Sequence, residues 1–170
     1  MTGDQKKVAV GAVIGVLSML IGVALISRLW PVHAGLDDLA SRLVYAFEAN
    51  LFAALPLLAG ILIISNDRFT SQAIDPTLHK EGRAIEINGR VVENTLQQSV
   101  LFLVGTLALA ANLTPDEMRV IPAAATWFVI ARIAFWIGYR IHPLYRAFGM
   151  ASTGYLNVAI IAAAIWKAVA

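Results

Sequence analysis

Five long apolar runs leave this chain little choice of solvent. They span Val8 to Ile26, Leu43 to Ser65, Asn94 to Leu113, Pro122 to Tyr139 and Ala151 to Ala170, each about 18 to 23 residues long. At 1.5 Å per helical residue, each matches a hydrocarbon core of roughly 30 Å. Together they take up most of the 170 residues, and charged residues fall to 14%, where soluble chains hold about 25%. The predicted fold class is therefore all-α, an integral membrane helix bundle with the lipid bilayer as solvent. The longest connection, residues 66 to 89, has no room for a soluble domain.

The first run also has features of a signal peptide, since Lys6 and Lys7 precede it and Val32 to Ala34 resemble a cleavage site. Its length exceeds the usual 7 to 15 apolar residues, and Arg28, Trp30 and Pro31 intervene before that site, so it is expected to remain as a helix. A net charge of +2, scattered along the chain, gives no reason to expect a nucleic-acid partner. The chain has no cysteine, which removes disulfides and thiolate metal sites. His33, His79 and His142 are too scattered to form a metal motif.

Counting Lys and Arg in the connections sets the expected orientation. A cytoplasmic N-terminus puts Lys6, Lys7, Arg68, Lys80, Arg83, Arg90, Arg140 and Arg146 inside, and Arg28, Arg42, Arg119 and Lys167 outside. That bias of eight to four predicts N-in and C-out, and the expected location is a bacterial inner membrane. Thr114, Pro115 and Glu117 read as a capping box that starts the fourth helix near Pro115. Pro56 and Pro122 fall inside apolar runs and predict kinks. Ile87 to Arg90, "INGR", reads as a tight turn ahead of the third run.

At 100° per residue, Arg90, Asn94, Gln97 and Leu101 fall within a band about 60° wide. This polar stripe enters the third helix from its cytoplasmic end and is expected to face protein or a wet cavity, because polar groups facing lipid are costly. On the fourth helix, Arg132, Trp136 and Tyr139 share a face, with Phe135 to one side and Arg140, His142 and Arg146 beyond. In the second helix Glu48 and Asn50 lie on roughly opposite faces, and both are read as structural.

"RVVENTLQQSVLFL" and "ARIAFWIGYRIHPLYRAFG" resemble two motifs of the MAPEG superfamily, the membrane-associated proteins in eicosanoid and glutathione metabolism. The resemblance covers Leu43 to Ala170 and implies four helices of that type plus one extra N-terminal helix. Residues 1–34 would then form the N-terminal transmembrane helix and its connection, and 35–170 the four-helix membrane domain. It also implies a homotrimer that uses glutathione as a transferase or peroxidase on lipophilic electrophiles. Arg90, Asn94, Gln97 and Tyr139 would bind the tripeptide, and Arg146 would be the catalytic residue that favours the thiolate. The chain departs from the family pattern at Gln97, where Glu is expected, at Gln98, often aromatic, and at Phe135, where a Tyr stands. The alternative reading is therefore a non-catalytic membrane scaffold or partner-binding protein that keeps the bundle without the chemistry. A channel or transporter fits less well, because the polar groups form no continuous path across the bilayer.

Overall fold

The computed structural model describes residues 1–170, with the side chain of Pro76 excepted. It is all-helical, and five helical spans are long and apolar enough to cross a membrane. Helix α1 covers Gly3–Leu29, α2 Leu39–Ala53, α3 Leu55–Phe69, α4 Arg83–Asn112, α5 Val120–Ile141 and α6 Ala147–Val169. α2 and α3 make one crossing, Leu39–Phe69. The bundle thus has an N-terminal face, where α3 and α5 end and α4 and α6 begin, and an opposite face.

Local chemistry sets the ends of these helices. Thr2 starts α1 by accepting from the Gln5 amide at 3.2 Å, and the Gln5 side chain accepts from the Thr2 amide at 2.8 Å. Asp38 starts α2 by accepting from the Ser41 amide at 3.0 Å, which holds its carboxyl below the ordinary 3.8. The expected capping box forms, with Glu117 accepting from the Thr114 amide at 2.9 Å. It opens a 3₁₀ turn, Pro115–Arg119, and α5 follows from Val120.

Pro56 does interrupt its crossing: the ring offers no N–H, and the helix breaks at Ala54 between α2 and α3. Pro122 does not kink α5, because it sits in the first turn, where a missing donor costs little. Two further expectations are corrected. Residues 66–69 belong to α3 and 83–89 to α4, so the connection is 70–82. Ile87 to Arg90 is helix interior and forms no turn; the first turns of α4 are amphipathic and polar, so hydropathy alone misses them.

The core lies where α2, α4, α5 and α6 meet, around Phe102, Phe128, Ala124, Leu156 and Ile160. The Phe102 and Phe128 rings stand 4.6 Å apart. Alanine and glycine allow this closeness: a Cβ on Gly149 would stand 2.5 Å from the Ala131 carbonyl oxygen, so α6 lies directly on the α5 backbone. Helix α1 docks chiefly on α6. Gly11 and Gly15 present their bare backbones to Ala147 and Phe148, and a Cβ at Gly15 would collide with the Phe148 carbonyl. The large apolar side chains that remain exposed, such as Leu17, Ile21, Leu62, Val104 and Ile137, are the surface that lipid covers.

A ladder of polar bridges ties the helices across this core. Asn50 donates to Thr106 at 2.8 Å, Trp127 to Ser152 at 2.8 Å, and Asn157 to the Gln98 side chain at 2.8 Å. Such bonds are worth about 0.6 kcal/mol on average within a bilayer. On the opposite face, Lys167 pairs with Glu117 at 2.6 Å and fastens the end of α6 to the start of α5.

Candidate functional site

The polar groups concentrate where α4 and α5 approach the N-terminal face. Asn88 of α4 is 1% exposed; its Oδ1 accepts from Trp136 Nε1 at 2.9 Å, and its Nδ2 donates to Asp67 of α3 at 3.4 Å. This one amide joins three helices. Deeper in the seam, Arg132 is also 1% exposed. It lies nine residues before the end of α5, about 14 Å along the helix axis, well within the hydrocarbon.

Arg132 has few partners for a charge at that depth. Its Nη1 donates to Asn94 Oδ1 at 2.9 Å, and the guanidinium carbon stands 4.1 Å from the centre of the Phe135 ring. Nε and Nη2 are buried without a partner. Among the described residues no carboxylate lies within 4.0 Å of the guanidinium. A single hydrogen bond and one cation–π contact offset only part of the cost of burying this ion, and each unpaired donor adds about 1–3 kcal/mol.

From Arg132 a line of rings leads out to the surface. Phe135 meets Tyr139 edge-on with centroids 5.9 Å apart, and the exposed Arg146 places its guanidinium carbon 4.9 Å from the Tyr139 ring centre. Val91 and Ile87 of α4 pack against Phe135 and Tyr139. The seam therefore carries a buried cation at its inner end and an exposed one at its mouth, with aromatic faces between. Forked guanidinium donors of this kind suit carboxylate or phosphate oxygens.

Of the residues expected to form a site, the fold brings Asn94, Tyr139 and Arg146 to this seam. Arg90 and Gln97 do not join them: both are exposed on a flank of α4, together with Leu101. The buried face of α4 runs instead through Asn88, Val91, Thr95, Phe102 and Thr106, and Asn94 stands at its edge. Arg132 and Asn88 were not among the expected site residues. The available signal was Arg132 itself, an ionisable residue in the middle of an apolar run. Asn50 is a buried bridge, as its structural reading has it, and Glu48 is exposed on the other side of α2.

No family model matches the chain, and no solved structure matches it significantly. Two curated relatives do. Transmembrane protein 79 of Mus musculus is 25% identical over 132 residues, which is 78% of this chain and 33% of the relative. Transmembrane protein 79 of Bos taurus is 26% identical over 118 residues, covering 69% of this chain and 30% of the relative. The chain spans about a third of the length of these relatives.

These comparisons correct the MAPEG resemblance: the relatives carry the name of a different family. The physical reason the motifs misled lies in the packing. An Arg or Asn stripe at the end of a membrane helix is what any bundle needs for interhelical hydrogen bonds, and here Asn94 and Asn88 serve that use. The finding common to the relatives' name and the five apolar spans is an integral membrane protein.

Proposed function

We propose that the chain is a membrane-embedded binding protein for an anionic ligand, taken into the α4–α5 seam from the N-terminal face. The observation that carries this reading is Arg132, buried at membrane depth with Nε and Nη2 unpaired. Asn94 positions the guanidinium, and Arg146 over Tyr139 attracts the anion at the mouth. The excess of Lys and Arg at this face supports its placement in the cytoplasm.

Glutathione, with two carboxylates and a thiol, is one ligand of this class. With it, Arg146 would lower the thiol's proton affinity and favour attack of the thiolate on a lipophilic electrophile. Arg90 and Gln97, exposed on the flank of α4, would complete the site against a second copy, so a homo-oligomer such as a trimer belongs to the same proposal. The second reading is a non-catalytic bundle, favoured by the way Asn88 and Asn94 are already engaged in interhelical bonds.

Thermal unfolding of the purified protein with millimolar glutathione, myristate or inorganic phosphate tests the proposal. At least one anion is expected to raise the midpoint for the parent and to leave Arg132→Met unmoved, while Arg132→Lys keeps part of the shift. If none of the three moves the parent, the anion site is wrong and the non-catalytic bundle stands. If glutathione binds, a raised thiolate absorbance that Arg146→Ala abolishes marks the catalytic form.

A further inference from the structure

On the opposite face, away from the α4–α5 seam, a groove of about 440 Å³ opens between α2 and α5, lined by Trp30, Tyr45, Glu48, Phe52, Pro122 and Thr126. Its volume falls in the usual range for small-ligand sites. The aromatic wall is built in advance: Trp30 Nε1 donates to the Tyr45 hydroxyl at 3.2 Å. His33 stacks on the Tyr45 ring with centroids 5.1 Å apart. Beside these rings stands Glu48, exposed and without an ion-pair partner, since the ion pairs among the described residues are Arg68 with Glu81 and Lys167 with Glu117. Arg42, on the same helix, is engaged instead with the Leu36 and Asp37 carbonyls.

The depth of Glu48 identifies the occupant. It lies five residues beyond Leu43, where the apolar run begins, so about 7 Å below the interface, at the boundary between headgroups and acyl chains. A bare carboxylate at that level calls for a cation. Aromatic faces beside it suit an ammonium group in particular, and the apolar flank of Phe52 and Pro122 suits an acyl chain. We propose that this groove seats a phospholipid whose headgroup ends in an ammonium, with the charge between Glu48 and the faces of Trp30 and Tyr45. A free, soluble amine lacks the chain that fills the rest of the groove.

The test is native mass spectrometry of the 170-residue protein released from nanodiscs made of equal parts phosphatidylethanolamine and phosphatidylglycerol. The parent is expected to retain phosphatidylethanolamine over phosphatidylglycerol by roughly fivefold or more, and Glu48→Gln to bring the ratio to within about twofold of one. Tyr45→Phe, which keeps the ring, should retain the preference. Because Glu48 is exposed, its substitution leaves the packing intact. Equal retention of the two lipids by the parent, or an unchanged preference in Glu48→Gln, overturns the site.

Discussion

At Arg132 one amide oxygen and one aromatic face share a charge that lipid cannot accommodate. That makes Asn94 an energetic hinge, whereas Gln97, one turn further along the same helix, takes no part in holding this charge. Asn94→Leu removes the acceptor at 2.9 Å and leaves the buried guanidinium with no hydrogen-bonded donor. The expected loss is about 1–3 kcal/mol, read as a lower unfolding midpoint in detergent. Gln97→Leu, on the exposed flank, should stay within about 0.5 kcal/mol of the parent. Equal stability of Asn94→Leu and the parent would contradict the described bond. In the sequence these two residues look alike, because both fall in one 60° band. The difference between them comes from how α5 lies against α4, and periodicity along one helix carries no information about its neighbour.

At the scale of elements, hydropathy located every crossing, because a run of about 20 apolar residues has few other uses. It located their ends less well. The first turns of α4, from Arg83 to Gly89, are polar enough to read as loop, yet they are helical and place Asn88 between Asp67 and Trp136. Pro56 broke its crossing as expected, whereas Pro122 sat harmlessly in a first turn; a proline's position within its helix, more than its presence, decides the outcome.

The docking of α1 was readable but unread. Gly11 and Gly15, four residues apart, lie on one helix face and allow the α6 backbone to approach. Gly15→Leu should push α1 off Phe148. With no native cysteine to interfere, a disulfide or short crosslink between single cysteines placed on α1 and α6 measures this directly. The crosslink is expected to form in the parent background and to fall several-fold with Gly15→Leu. An unchanged yield would mean that α1 is held elsewhere.

For the whole molecule, both proposed sites depend on a single arrangement. Five crossings put the start of α4 and the end of α5 on one face, with the N-terminus, and put Trp30, Tyr45 and the Glu117–Lys167 pair on the other. Because α4 and α5 are consecutive antiparallel crossings, the residues that form the seam meet at one face. The bilayer alone does not choose which face is cytoplasmic; the eight-to-four distribution of Lys and Arg predicts that it is the N-terminal face. The most direct measurement is labelling of single introduced cysteines in intact cells with a membrane-impermeant thiol reagent. Asp75→Cys and His142→Cys should both be shielded until the membrane is opened, and Asp116→Cys should react at once. Labelling of positions 75 and 142 in intact cells, or a difference between those two, would contradict the account.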